Sequence, residues 1–279
     1  EALARSPELW TLGGDSPALL EGTTVDGRQP LSPAAHGWHS DRLDAAERDA
    51  IFERIRFSTS HPKDMTDDVL HVMAKYDNIC KYIHLPVQSG NSEVLEKMNR
   101  GYTREWYLNR VKAIHKIIPD CAISADIITG FCGETEEQHQ ETLSIMDEVR
   151  YHFSYMFKYS ERPNTLAQRK FEDDVPEEVK QRRLEDVIKK QQEHSWERNN
   201  KDLGTVKEVL VEGLSKKSDQ ELYGRTTQNT VVVFPKEHYK AGDFVKVFIE
   251  DCTTATLKGV AIKNDNVEES MLRSNTITA

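Results

Sequence analysis

The stretch Ala122–Thr135, with the sequence AISADIITGFCGET, decides the fold. Its first eight residues are rich in branched and small apolar side chains, the pattern of a strand in a sheet. Gly130 and Gly133 follow and let the backbone turn sharply and approach a ligand closely. Thr135 and Gln138 have the spacing of a capping box, which opens a helix. A strand that feeds a helix through a glycine loop is half of a βα unit. In α/β folds, ligands bind outside the carboxyl ends of such strands. The loop after residue 129 is where chemistry is expected.

Working outward, the same alternation of strands and helices recurs. Strands are expected at Ile55–Thr59, Lys81–Pro86, 121–128 and Phe153–Tyr159. Between them, a helix over Thr66–Tyr76 places Val69, Leu70 and Met73 on one face. Asn91 caps a helix carrying Val94, Leu95 and Met98, which Gly101 stops. Thr103 caps another, with Leu108, Val111, Ile114 and Ile118 inward, and a fourth covers 136–150. This order implies a parallel sheet or part of a (β/α) barrel, since four strands are too few to close one. Residues 161–175 read as a polar loop. Pro176 starts a charged helix to about residue 200, whose narrow apolar face is Leu184, Val187 and Ile188. It reads as a docked linker with a solvated outer face.

After Gly204 the texture changes. Val206–Val211, Leu222–Thr226, Thr230–Phe234, Phe244–Ile249 and Thr256–Ile262 are short strand-like runs punctuated by Gly and Asn. They predict a small antiparallel β-barrel of the oligonucleotide-binding style. Residues 1–54 show little strand pattern, with one helix expected over Asp41–Ile55. The polar tail after 263 is expected to fray. The domain reading is 1–54 unassigned, 55–175 partial barrel, 176–203 linker helix, 204–263 small barrel and 264–279 tail.

Charge narrows the partners. Lys and Arg total 37 against 47 Asp and Glu, a net charge of −10, so nucleic acid would need a local basic patch. Residues 204–263 hold 9 Lys or Arg and 8 Asp or Glu, near neutrality in an acidic chain. No apolar run approaches membrane-span length, and Glu1–Trp10 lacks a signal-peptide pattern, so a cytosolic protein without membrane contact is expected. The four cysteines, Cys80, Cys121, Cys132 and Cys252, form no CxxC or CxxxCxxC pattern. They read as buried small hydrophobes rather than metal ligands.

Read in order, several segments resemble the radical S-adenosylmethionine methylthiotransferases, in particular the branch that forms 2-methylthio-N6-isopentenyladenosine in tRNA. They are Arg56–Asp64 (RFSTSHPKD), His84–Gly90 (HLPVQSG), Met98–Arg104 (MNRGYTR), Ala125–Thr135 and Met156–Arg162 (MFKYSER). Val211–Lys217 (VEGLSKK) and Gly224–Thr226 are similar to that family's C-terminal TRAM module. The resemblance spans about 55–263, and we find none in residues 1–54. It implies an α/β partial (β/α) barrel of radical SAM type followed by a small antiparallel, OB-like TRAM β-barrel. The four expected strands match the third to sixth of the family's six-stranded partial barrel.

The resemblance also implies chemistry. S-adenosylmethionine serves as methyl donor and as radical source, with two 4Fe-4S clusters in the full-length family. A 5′-deoxyadenosyl radical abstracts hydrogen from the substrate carbon, and an auxiliary cluster supplies sulfur. The cluster loop CxxxCxxC is absent from this sequence, so no cluster ligand is named. Cys132 stands where many relatives carry proline. Implied partners are a tRNA anticodon arm and a sulfur source or iron–sulfur assembly protein, with the chain a monomer. Threonylcarbamoyladenosine in tRNA is the alternative substrate, and a non-catalytic tRNA-binding fragment is the alternative role.

For cofactor binding, Ile128 is expected to pack on adenine and Gly130 to allow backbone contact. Gln88, Ser89 and Gly90 follow a strand end, where amide and hydroxyl groups can hydrogen-bond a ribose or carboxylate. Asp126 within its strand is a ribose contact or a structural acceptor, since a buried carboxylate needs a partner. His84 reads as a satisfied core histidine. Arg100, Arg104 and Arg162 fall at loops, with Arg104 read as a surface ion pair and Arg162 at the rim where substrate enters. For RNA, Lys216, Lys217, Arg225 and Asn229 lie on expected turns beside Gln228. Tyr223 and Phe234 are either base-stacking residues or barrel core.

Overall fold

The computed structural model of the chain describes residues 10–11, 53–58 and 61–262. From Ile55 onward the expected strands and helices are present in the expected order. Trp10–Thr11 (β1) pairs in parallel with Phe57–Ser58 (β2). Then come helix α1 (Asp67–Lys75), strand β3 (Tyr82–His84), helices α2 (Ser92–Lys97) and α3 (Arg104–Ile117), and strand β4 (Ala122–Thr129). Helix α4 (Glu136–Val149) and strand β5 (Phe153–Lys158) complete the first unit. The helix starts obey the local chemistry. The Asn91 side chain accepts from the amides of Glu93 and Val94, both at 3.0 Å. Thr103 accepts from Trp106, and the Thr135–Gln138 capping box is complete.

β3, β4 and β5 form one parallel sheet in that spatial order. Side chains alternate across it. Ile83, Ile123, Ala125 and Ile127 are buried against a layer that includes Leu70 and Met73 of α1, Tyr107 and Ile114 of α3, and Ile145 and Met146 of α4. The opposite face carries Tyr82, His84, Ser124, Asp126 and Ile128, with Phe153, Tyr155 and Phe157 of β5 each about half exposed. One face is a core, and the other is a concave wall lined by aromatic and titratable groups.

Four sequence expectations need correction. The first strand is only two residues long and joins β1; Ile55 reaches the segment ahead of β3 through a single bridge to Ile79. The segment 161–175 is not all loop, because Thr165 caps a short helix α5 (Leu166–Lys170). The charged helix α6 (Glu177–Lys201) is not merely solvated. It buries Lys180, Arg183, Val187, Gln191, His194, Ser195 and Asn199, a polar stripe at helical spacing. Gln191 accepts from Ser154 of β5 at 2.8 Å and donates to the carbonyl of Tyr151 at 2.9 Å. His194 meets Asp147 of α4 at 3.0 Å. Most buried polar groups of the stripe find partners, and Arg183 Nε and His194 Nδ1 have none among the described residues. The expected helix over Asp41–Ile55 lies outside the described residues except for its last three, and the tail after 263 lies wholly outside.

The last unit is a closed five-stranded barrel of β6 (Val206–Leu214), β7 (Glu221–Arg225), β8 (Val231–Pro235), β9 (Phe244–Cys252) and β10 (Thr256–Ala261). The fourth correction is here: one pairing, β8 with β10, is parallel, while the other four are antiparallel. Phe234 lies in the core with Val209, Leu222, Val247 and Leu257. The barrel is held to the rest by two part-buried arginines and an asparagine. Arg54 donates to the carbonyl of Arg225 at 3.0 Å and stacks 4.6 Å from the Phe244 ring centre. Arg56 donates to the carbonyl of Thr226 at 3.1 Å, and Asn199 at the end of α6 donates to that of Thr253 at 2.7 Å.

His152, just before β5, is pushed down to about 3 by burial, with Arg198 beside it adding to the effect. Its amide donates to Ile123 and its carbonyl accepts from the Arg198 guanidinium. Below the ordinary value of 6.5, the unfolded chain binds a proton that the folded chain refuses, so stability falls as pH drops from 6.5 toward 3. At pH 5 this one group costs about 2 kcal/mol. His152→Gln should flatten the decline of denaturation midpoint between pH 7 and pH 5; an unchanged slope would rule His152 out as its source.

Candidate functional site

The concave face of the sheet is built in tiers by register. His84 pairs with Ser124 and Ser124 with Phe153; Asp126 pairs with Tyr155, and Ile128 with Phe157. Ser124, fully buried, links Tyr82 Oη at 2.7 Å and His84 Nδ1 at 2.8 Å. His84 Nε2 lies 3.5 Å from Asp126 Oδ1, and its ring meets Tyr155 edge to face at 5.9 Å. The histidine is satisfied, as expected, but it lines the open face rather than the core. The base of the face is polar and hydrogen-bonded, and its upper tier, Ile128 and Phe157, is apolar.

The chain beyond β3 runs along the end of β4. Gln88 donates its amide to the carbonyl of Asp126 at 2.8 Å and accepts from Ile128 at 2.9 Å. Its φ of +69° is left-handed, which a non-glycine residue adopts at a cost of about 1 kcal/mol or more. The residue is 4% exposed, and its side-chain amide has no hydrogen bond among the described residues. Ser89 and Gly90 turn instead toward α4. Ser89 lies 3.4 Å from Thr142 Oγ1, and the Gly90 amide donates to the same oxygen at 2.9 Å. A methyl group at Gly90 would collide with the carbonyl of Glu141, so the glycine serves close helix packing. Arg104 makes the expected ion pair, 3.9 Å from Glu148, and also donates to the carbonyls of Gly90 at 3.0 Å and Glu141 at 2.6 Å.

The glycine loop is clamped by α6. Gly130 has φ +71°, and a methyl group there would strike Cγ of Lys180. Lys180 is 4% exposed and pairs with Asp173. Glu134 accepts from the Gly130 amide at 3.1 Å and from Arg183 at 3.0 Å, and Arg183 also donates to its carbonyl at 2.9 Å. Burial raises the Glu134 carboxyl, opposed by the Gly130 amide and Arg183. Gly133 donates to Asp174 at 2.6 Å. The sequence reading missed Lys180 and Arg183. Their spacing with Val187, Gln191 and His194 was the available signal. It also missed Tyr82, Ser124, Tyr155 and Phe157; the period-two aromatics of 153–157 announced the last two.

On the small barrel, the RNA candidates do not form one cluster. Lys216 and Lys217 are exposed on the β6–β7 turn. Arg225 and Asn229 lie at the far end of β7, roughly 13 Å along the strand from its start. There Arg225 donates to the Asn229 carbonyl and side-chain oxygen, both at 3.2 Å, and pairs with Glu212. Asn229, at φ +66°, belongs to the turn that faces the sheet unit, where Gln228 reaches Asp120 at 3.3 Å. Arg162 is exposed in the loop after β5, and its carbonyl accepts from Thr165.

Residues 8–146 match the Radical SAM superfamily, and residues 201–262 match the TRAM domain. The chain belongs to the radical SAM superfamily. The match begins at residue 8, so it takes in most of the N-terminal stretch in which the sequence reading found no resemblance. Among curated proteins, the tRNA-2-methylthio-N(6)-dimethylallyladenosine synthase of Amoebophilus asiaticus is 62% identical over 207 residues, 74% of this chain and 43% of the relative. The protein of the same name from Flavobacterium psychrophilum is 57% identical over 260 residues, 91% of this chain and 52% of the relative. This radical SAM chain thus spans about half the length of the curated relatives it matches. Among solved structures, coproporphyrinogen III oxidase from Escherichia coli aligns at 17% identity with a TM-score of 0.44, covering 70% of this chain and 46% of that one.

The residues fit one implied group and not the other. The open face offers an apolar tier for a purine and the Asp126 carboxylate for hydroxyls. This is the mix a nucleoside cofactor needs. A thiolate-held cluster does not fit. Cys80, Cys121 and Cys132 are buried, and burial pushes the Cys121 thiol up to about 12 and raises Cys132. Among the described residues no group of three or more His, Cys, Asp or Glu could hold a metal.

Arg183→Ala should destabilise the fold by about 3 to 5 kcal/mol, because it strands the Glu134 carboxylate. Adding Glu134→Gln should recover a large part of that loss. Urea titrations of the three variants check this, and equal losses in the single and double variants would show that the pair does not act as a unit.

Proposed function

We propose that this chain supplies the cofactor-facing half-barrel and the RNA-holding barrel of a tRNA methylthiotransferase acting on N6-dimethylallyladenosine. Support comes from the fixed union of two units of different chemistry. An open nucleoside-sized face and a TRAM barrel are locked together by Arg54, Arg56 and Asn199. The named relatives at 55–62% identity support the substrate. The reaction is the addition of sulfur and a methyl group at C2 of the modified adenine, on an anticodon arm. A sulfur source or iron–sulfur assembly protein is the second partner. The chain works as a monomer in the cytoplasm, and no helix among the described residues is long and apolar enough to cross a membrane.

S-adenosylmethionine supplies a transferable methyl group and, when reduced, a carbon radical. Ile128 and Phe157 pack on its adenine, Asp126 accepts from its ribose, and the Gln88 side chain bonds its polar end. Gly130 shapes the loop that borders the adenine, held by Lys180 and Glu134. Ser89 and Gly90 act one step back, fixing the Gln88 turn on α4. The 279 residues contain no CxxxCxxC.

Lys216, Lys217 and Arg162 meet phosphates from the surface. Arg225 and Asn229 shape the turn that joins the TRAM barrel to the sheet, and they contribute to RNA binding through that geometry. Binding of an anticodon stem-loop should weaken with rising salt. Lys216→Ala with Lys217→Ala should lower the log–log salt slope by roughly one to two. Arg225→Ala should weaken binding with a smaller slope change and a lower melting temperature. Stem-loop affinity that ignores both salt and the lysine pair would remove the TRAM barrel as the RNA contact.

A further inference from the structure

A groove of 290 Å3 opens where the ends of β4 and β5 meet the residue run after α2 and the start of α5. Met98, Ile128, Phe131, Tyr159, Leu166 and Ala167 line it. Phe131 is fixed from two sides, edge to face against Tyr159 at 4.9 Å and Phe171 at 6.0 Å. Val94 and Cys132 belong to the same apolar packet. Burial pushes the Tyr159 phenol up to about 12, so it stays neutral. The apolar side of this groove suits an uncharged, apolar group, and Lys97, Asn99, Arg100 and Thr165 complete its lining.

Three further features narrow the choice. The volume sits at the bottom of the range for small-molecule pockets, about 300 Å3 and upward, so the groove takes a ring edge with a short arm rather than a whole cofactor. Ile128 belongs both to the groove and to the upper tier of the concave face, so an occupant ends beside the proposed cofactor. Lys97 and Arg100 form part of the wall, and Arg100 Nε is buried with no hydrogen-bond partner among the described residues. Cations beside an apolar slot suit a nucleotide: the base substituent goes in, and the phosphate stays at the rim.

We propose that this groove seats the branched alkyl arm of an N6-alkylated adenosine, with Lys97 and Arg100 on the adjoining phosphate. The proposal rests on the RNA-modifying reading above and names the subsite within it that distinguishes the arm. Leu166 and Ala167, from a helix too short to be expected in the sequence, are the residues that set arm specificity. The arm loses water against Met98, Phe131 and Leu166, and the base stays at the mouth of the groove.

The test uses the full chain and two kinds of probe. Saturation-transfer NMR compares adenosine, N6-dimethylallyladenosine and N6-threonylcarbamoyladenosine as free nucleosides. Fluorescence anisotropy compares anticodon stem-loops carrying the same three residues. The dimethylallyl form should bind about tenfold tighter than adenosine in both formats, as burial of a few methyl and methylene groups gives. Leu166→Asp and Ala167→Trp should each bring the ratio near one, with unmodified stem-loop affinity and melting temperature kept. Lys97→Ala should weaken stem-loops and spare nucleosides. Equal binding of adenosine and the dimethylallyl form overturns the proposal, as does a preference that survives both variants. Tighter binding of the threonylcarbamoyl form assigns the slot to a polar arm and overturns it too. A nucleoside preference without stem-loop binding would instead sink the RNA reading and leave the groove standing.

Discussion

Arg183 and Glu134 form an ion pair whose side chains are 5% and 1% exposed. Two charges can be taken out of water only when each finds its partner and its remaining hydrogen bonds. Here the carboxylate also holds the Gly130 amide, and the guanidinium also holds the Glu134 carbonyl. The pair thereby ties the loop at the end of β4 to the helix that follows the sheet unit. Gly130 must lack a side chain because Lys180 of the same helix crosses it. The shape of the ligand loop thus depends on α6, and without that helix its buried carboxylate would be unpaired.

The same helix runs from the glycine loop to the TRAM barrel. Lys180 and Arg183 lie near its start, and Asn199 reaches Thr253 of the barrel at its end. Nineteen residues of helix, about 28 Å at 1.5 Å each, separate the two contacts. Between them Gln191, His194 and Ser195 bond β5, α4 and one another. Polar bonds have directional demands that apolar packing lacks. A stripe of them fixes one register of helix on sheet, and with it the position of the TRAM barrel relative to the sheet.

The sheet's two faces divide the work. Branched residues on one side pack under three helices and supply the core. On the other side the period-two pattern sets Tyr82, His84, Ser124 and Asp126 in contact, capped by Ile128 and a column of aromatics. The groove beside Ile128 continues this face outward. An open polar face, an apolar slot and two cations meet at the ends of two strands, where α/β folds place their ligands.

Much of this was legible in the chain. Alternation fixed β4 and β5, caps at Asn91, Thr103 and Thr135 fixed three helix starts, and the runs after Gly204 fixed the five barrel strands within a few residues, because these signals are local. The ordered motifs also carried the family. Local signals could not say that Ser89 and Gly90 face a helix while Asp126 faces the open side of the sheet, or that Lys216 and Arg225 sit at opposite ends of one strand. Nor could they tell that a lysine and an arginine of a highly charged helix are buried. Those facts depend on which distant group completes each hydrogen bond. A buried charge is tolerated only beside its partner, and partners 49 residues apart, such as Arg183 and Glu134, meet only once the chain has folded.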